Sequence, residues 1–268
     1  MSAYSDTFYA RQGEGSISSA RRIVPLVIDL IAPKSVVDVG CGLGSWIAVF
    51  MESGIRDVLG IDGPWVRKEM LHISPEHFQE ADLARPLTLD RGFDLVVSLE
   101  VAEHLPASAA QTFINSLTAM GPAVLFSAAI PFQGGIYHLN EQWQSYWAEM
   151  FMGREYVPVD CIRPVIWNDP DIKVWYAQNT VLYIRQSALP CYPRLKSFSI
   201  ASCDSLSLVH PRLYLGKMEK LGRELQSTTR LGTLFAESAI RRLPGAALAA
   251  RVVRSLRHSI KDSAPSGQ

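Results

Sequence analysis

The chain has 268 residues, 48% of them hydrophobic and 19% charged. That is enough apolar material for a core, and it excludes a wholly disordered chain. The length fits one full-size domain with an appendage, and the 26 basic and 26 acidic residues cancel, so no global charge points to nucleic acid.

Met1 to Ser16 is polar and lacks an apolar h-region, so no secretory signal is read there. Tyr9 to Arg22 is expected to form a helix over the ligand cleft, within an N-terminal cap of residues 1–34. Arg11, Gln12 and the flexible Gly13-Glu14-Gly15 would act as its lid. The apolar run from Ile23 to Ala32 is interrupted by Pro25 and Asp29, and no stretch approaches the ~18 to 20 residues that span a bilayer. Ser35 to Val39 and Asp57 to Asp62 read as buried strands, with a helical period from Trp46 to Ser53 between them. Phe93 to Leu99 is a third clear strand, Ala107 to Met120 a helix, and Ala123 to Ile130 another strand. Continuous apolar strands alternating with helices predict a parallel sheet covered on both faces. Asn140 to Gly153 reads as a helix, and Val157 to Trp167 and Val174 to Ile184 as two later strands. Residues 187–211, rich in Pro, Ser and Cys, read as a linker.

Residues 212–261 carry 11 Lys/Arg and 3 Asp/Glu, a net of +8, which leaves 15 basic and 23 acidic residues for the rest of the chain. This predicts a basic helical C-terminal extension, with Leu231, Leu234, Phe235 and Ile240, then Leu248, Val252, Val253 and Leu256, at helical spacing. Pro244-Gly245 separates the two segments, and residues 262–268 read as a disordered tail. The extension suits packing on the body or in a homodimer, or contact with an anionic membrane surface or partner. The four cysteines have no CxxC or zinc-finger spacing, so the expectation is a reduced, cytoplasmic protein.

The strongest motif is Asp38-Val39-Gly40-Cys41-Gly42-Leu43-Gly44, after the first strand and before a helix. Glycines let the backbone approach a ligand with no side chain between. The dinucleotide fingerprint is GxGxxG; here the spacing is GxGxG and an acid precedes it. That acid would repel a pyrophosphate but suits a cationic ligand carrying an amine. Asp62, ending the next strand, can accept both hydroxyls of a ribose, and Asp82 can accept from an adenine amino group.

Taken in this order, the glycine loop, the two acids and the phrase Ser98-Leu99-Glu100-Val101-Ala102-Glu103-His104-Leu105 resemble the class I S-adenosylmethionine-dependent methyltransferases over residues 20–186. The resemblance implies an α/β, Rossmann-like sheet of seven strands, mostly parallel with the last antiparallel, in a methyltransferase domain at 35–186. It also implies S-adenosylmethionine as cofactor, with S-adenosylhomocysteine as product. Asp38, Gly40, Cys41, Gly42, Gly44, Asp62, Gly63, Asp82, Leu83 and Glu100 are the residues expected to line it.

Methyl transfer is an in-line displacement that requires the acceptor atom at ~3 to 3.5 Å, and a base when that atom is a hydroxyl. Glu100, Glu103 and His104 resemble the ExxEH segment that binds a divalent cation in some relatives, such as small-RNA and ubiquinone-pathway O-methyltransferases. Here Glu100, Glu103, His104 and His138 are the candidate ligands for Mg²⁺ or another divalent ion. In many relatives the same letters serve without metal, the acid facing the cofactor and the histidine packing. Downstream, Gln133, His138, Asn140, Glu141 and Trp143 are the candidate acceptor-binding residues, with His138 as candidate general base. Glu100 and His104 are further catalytic candidates. In the structural reading His138 is simply hydrogen-bonded in a loop, while Asn140 caps the helix and Glu141 occupies its first turn. Trp175 to Asn179 is expected to open the last strand, with Gln178 and Asn179 bracing the acceptor loop.

These phrases look like a bacterial subgroup associated with glycan and specialised-metabolite pathways. The expected activity is O-methylation of a small polar acceptor, a sugar or related hydroxyl or phosphate-like oxygen, without nucleic acid. Alternatives are an RNA 2′-O-methyltransferase, a small-molecule N-methyltransferase, and a cofactor-binding scaffold without turnover.

Overall fold

The computed structural model describes residues 6–198 and 202–241. The apolar runs become Ser35–Val39 (β1), Asp57–Asp62 (β2), Leu95–Leu99 (β4) and Ala123–Ser127 (β5), with the short Phe78–Glu80 (β3) after β2. Every residue of β4 and β5 is buried, because helices cover both faces of the sheet. Alternation still decides which face each side chain serves. Leu95, Val97 and Leu99 enter one apolar layer with Ile23, Trp46 and Phe50. Val96, Val124 and Phe126 enter the other, with Phe113, Trp147 and Phe151.

The seven strands lie in the order β3-β2-β1-β4-β5-β7-β6, where β6 is Tyr156–Val159 and β7 is Val181–Arg185. The strands β3, β2, β1, β4 and β5 pair in parallel, and β7 runs antiparallel to both β5 and β6. The order reverses at β1 and β4, so the loops at the C-terminal ends of those two strands flank the switch-point crevice where ligands bind in open α/β sheets. The helices are Asp6–Ile31 (α1), Ser45–Glu52 (α2), Ala110–Met120 (α3) and Gln144–Met152 (α4). Shorter ones follow at Arg163–Ile166 (α5), Val174–Asn179 (α6) and Cys203–Leu206 (α7), and Pro211–Arg241 is α8.

Several expectations change. Helix α1 runs without interruption through Gly13, Glu14 and Gly15, so the backbone there is not a flexible loop. Its inner face buries Ile23, Val24 and Val27 completely, and that packing holds the helix together across Pro25. The strand expected over Val157 to Trp167 stops at Val159. Arg163 then turns inward, 1% exposed, pairing with Asp160 at 2.7 Å and donating to the Leu206 carbonyl at 2.7 Å. The strand expected to begin at Val174 begins at Val181. Residues 174–179 form a helical turn that buries Tyr176 and Ala177 and carries Gln178 and Asn179 inward.

The expected linker at 187–211 is not free over its described residues, 187–198 and 202–211. Two 3₁₀ turns, Gln186–Cys191 and Pro193–Ser197, lead to α7, and Leu195, Leu206 and His210 are buried. The His210 amide donates to Gln178 Oε1 at 2.8 Å. One compact unit thus runs to Leu213, and a second begins at Tyr214. The described part of that second unit is the remainder of α8, where Tyr214, Leu215, Met218, Leu221 and Leu225 are exposed and Lys220 approaches Glu224 at 3.9 Å. The side chains of Leu231, Leu234, Phe235 and Ile240, the Pro244-Gly245 break, the second basic segment and the 262–268 tail lie outside the described residues. No described helix is long and apolar enough to cross a membrane.

If residues 186–213 belong to the core, Leu206→Ala lowers stability by about 2 to 5 kcal/mol, measured by urea unfolding. A free linker would give no measurable change.

Candidate functional site

The loop between β1 and α2 turns through Gly40, Gly42 and Gly44, with φ of +87°, +53° and +79°. At Gly40 a β-carbon would stand 2.3 Å from Val101, so packing as well as φ requires glycine. At Gly42 no atom lies within 4 Å of where a β-carbon would be, so its bare backbone faces open space. Gly40, Gly42, Leu43, Trp46, Glu100 and Tyr176 line a cleft here. Helix α1 contributes Ser16, whose hydroxyl meets the Tyr176 hydroxyl at 3.1 Å. The N-terminal helix therefore reaches the cleft, although the side chains of Arg11 and Gln12 lie outside the described residues.

Two carboxyls lie beneath the loop. Asp38, in β1, is 2% exposed, and its Oδ2 has no hydrogen-bond partner among the described residues. Burial, reinforced by the neighbouring Asp62 charge, holds its pKa well above the usual carboxylate range. Asp62, at the end of β2, is 6% exposed. Its Oδ2 accepts the Gly42 N–H at 2.7 Å and its Oδ1 accepts the Gly63 N–H at 2.6 Å. Burial raises its pKa too, opposed by those two amides and by the Trp65 indole. Cys41 is buried between the two acids, and burial raises its thiol pKa in turn. Asp82 is exposed; it holds the Ala84 amide at 3.0 Å and Arg85 at 3.2 Å, while Leu83 is buried.

Glu100 closes β4 with a left-handed φ of +56°, a conformation that costs a non-glycine residue about 1 to 3 kcal/mol. Its amide is held by Ser127, at 2.9 Å to the carbonyl and 3.1 Å to the hydroxyl. Gln133 Nε2 donates to Glu100 Oε2 at 2.8 Å, and Asn179 Nδ2 donates to Oε1 at 3.0 Å. Gln133 Oε1 in turn accepts from Gln178 at 3.2 Å and from Asn179 at 2.9 Å. Gln178 and Asn179 thus brace Gln133 in the loop after β5, from a helical turn rather than from a strand. Burial raises the Glu100 pKa, and the amides and Ser127 work against it.

Beyond Glu100 the chain makes a 3₁₀ turn, Ala102–His104. Glu103 is fully buried, and burial and the nearby Glu100 raise its pKa well above normal, with its own amide and that of Ala129 working against them. His104 is pushed down to about 4 by burial and by His138, so it is neutral near pH 7, and its Nδ1 has no partner. The His138 ring stands edge-on to it at 4.9 Å, with Nδ1 at 2.8 Å from Glu141 Oε1. One ligand atom each from Glu103, His104 and His138 falls within a 4.8 Å group. Glu100, expected in the same set, is occupied by its amides instead.

The acceptor loop folds around Glu141, which accepts the Phe132 and Gly134 amides, each at 2.8 Å. Asn140 is not a helix cap. Its amide and that of Leu139 donate to the Glu103 carbonyl at 3.0 and 2.7 Å, and α4 begins only at Gln144, after Trp143. Glu141 therefore lies in the loop, not in a first helical turn. Trp143 is exposed. Sequence reasoning missed Trp65, whose ring lies over Gly63, because nothing in the spacing ties that indole to Asp62.

A glycine loop over buried acids at a switch-point crevice, in a seven-stranded sheet with one reversed strand, defines a Rossmann-like domain of the methyltransferase type. The methyltransferase domain profile matches residues 9–160, more than half of the chain, and the protein belongs to that family. No curated protein matches the sequence. Similar solved structures include an O-methyltransferase family protein from Burkholderia thailandensis (14% identity, 68% of this chain and 60% of that one, TM-score 0.47). DesVI from Streptomyces venezuelae is 20% identical over 48% of this chain and 58% of its own, with a TM-score of 0.40. The mitomycin 7-O-methyltransferase MmcR is 15% identical over 66% and 56%, with a TM-score of 0.49. The match covers less than two thirds of each of those chains, and likeness at this level concerns the fold.

Asp38 generates a prediction. A carboxyl whose pKa is higher folded than unfolded destabilises the fold progressively as pH rises above the unfolded value, near 3.9. Asp38→Asn removes that penalty. Thermal melts of the ligand-free protein should place the variant above wild type at pH 8, with the gap shrinking toward about pH 4. A gap independent of pH would contradict the assignment.

Proposed function

We propose that this protein transfers the methyl group of S-adenosylmethionine to an oxygen of a hydroxylated small molecule, a sugar being the nearest fit. The unpartnered, buried Oδ2 of Asp38 carries the cofactor half of this reading. An α-ammonium group gives it the cation it lacks, whereas a dinucleotide pyrophosphate would meet two acids. Gly42 leaves room for a ligand to approach, Asp62 at the end of β2 is the acid assigned here to a ribose, and Glu100 lines the cleft. The cofactor brings a methyl already activated by its sulfonium. The protein's part is to place the acceptor in line and take its proton.

His138 suits that last task. Glu141 can only accept, so it fixes the proton on His138 Nδ1 and leaves Nε2 bare, the orientation of a general base. Exposed Tyr137 and Trp143 flank it with flat faces on which a sugar ring can lie. One observation favours a second handling of the proton: a ligand atom each from Glu103, His104 and His138 converges within 4.8 Å. These three side chains fit a divalent cation, with Glu141 as the outer partner of His138. Such an ion would polarise the acceptor oxygen and make its proton easier to lose.

The test is release of S-adenosylhomocysteine from a panel of sugars, nucleotide sugars and phenols, with and without chelator. His138→Asn should lower turnover about 10²- to 10⁴-fold with cofactor affinity unchanged. Loss of activity on chelation, restored by Mg²⁺, selects the cation. Unchanged rates select His138 as base. A variant that matches wild type on an acceptor amine, with no oxygen acceptor turned over, refutes O-methylation.

A further inference from the structure

The cleft lined by Gly40, Gly42 and Glu100 does not extend over Asp62 and Gly63. Trp65 covers that end. Its ring is so close to Gly63 that a β-carbon there would stand 2.3 Å from it. Its indole N–H donates to the Asp62 carboxylate. Nevertheless Trp65 is 43% exposed.

Counting donors shows what this arrangement implies. A carboxylate offers about four lone-pair sites. Asp62 already receives three donors: the Gly42 amide, the Gly63 amide and the indole. One site remains, but a ribose gripped through both hydroxyls brings two. One donor must leave. The two amides are fixed, because Gly40 and Cys41 are pinned to the Ile61 carbonyl at 2.7 and 3.2 Å, and Gly63 directly follows β2. Of the three, only the indole is supplied by a side chain, which a change of rotamer can withdraw. Its backbone stays anchored on the far side by Val66, which is 6% exposed and donates to the Gly63 carbonyl at 3.2 Å.

We propose that the Trp65 indole is a displaceable stand-in for the cofactor ribose, holding Asp62 in the free protein and swinging away when the nucleoside arrives. This rests on the reading that Asp62 binds the ribose of an S-adenosyl cofactor. The indole then competes with the ligand, and the free protein reaches its binding-competent form only by giving up one hydrogen bond. Sequestering Asp62 in this way also keeps a buried carboxylate satisfied between turnovers.

The experiment is calorimetric titration of wild type and Trp65→Phe with S-adenosylhomocysteine and with its 2′,3′-dideoxy analogue. Phenylalanine keeps an aromatic ring and removes the N–H. The variant is expected to bind S-adenosylhomocysteine about 3- to 10-fold tighter than wild type. The dideoxy analogue, which lacks the two hydroxyls, should bind both proteins alike. Equal or weaker binding of S-adenosylhomocysteine by the variant, with wild-type binding intact, overturns the competition and makes the indole a fixed wall of the site. No binding to either protein overturns the cofactor reading and this inference with it.

Discussion

A buried carboxyl lacking a full set of partners is the constraint on which the rest of the site depends. Asp38 lies in β1, close enough to Asp62 to feel its charge, under a loop that admits no side chain at Gly40. Two acids in a low-dielectric place disfavour each other's charge. A protein keeps such a pair where a ligand supplies the opposite charge, and functional sites are where such shifts concentrate. The glycine turn and the burial of Cys41 hold this pair beneath the loop that lines the switch-point crevice.

The acceptor side is built on a different principle. There the polar groups are amides, and they fasten one another. Gln133 comes from the loop after β5 and Asn179 from the turn before β7, and they converge on Glu100 from two elements. Gln178 extends the same network to the His210 amide, and Gln144 extends it to the Leu208 carbonyl at 3.1 Å. The segment before α8 is thereby part of the support for Glu100. A buried network that links several elements in this way fixes geometry better than apolar packing alone. The left-handed backbone at Glu100 is held by that network and by Ser127 rather than by local preference.

The central sheet was legible because its strands are continuous apolar runs punctuated by glycine, and the glycine loop was legible because its spacing departs from the dinucleotide pattern. What misled were segments whose local preference loses to long-range contacts. Val174-Trp175-Tyr176 has strand-like composition, yet a helical turn is what brings Gln178 and Asn179 to Gln133. The strand read over Val157 to Trp167 ends at Val159, where a bidentate Asp160 and the Leu206 carbonyl allow Arg163 to be buried. Asn140 has the composition of a cap, and its amide is taken by the Glu103 carbonyl instead. The residue types of the acceptor site were readable, but their partition was not. ExxEH spacing cannot reveal that Glu100 turns to the amides while Glu103 joins the two histidines, because that depends on a 3₁₀ turn following a left-handed residue. Nor can it show that Glu141 orients His138, since a loop rather than a helix sets their distance.

The central claim is that the crevice is shaped for a cationic amino-acid nucleoside. The most direct measurement is the affinity for S-adenosylmethionine against that for an analogue whose α-amine is replaced by hydrogen, by calorimetry on the full chain. The account predicts that losing the amine, the partner of Asp38, weakens binding by at least about tenfold, within the range for a charge-assisted hydrogen bond at a buried acid. Equal affinities, or a nicotinamide dinucleotide that binds in place of both, would contradict it.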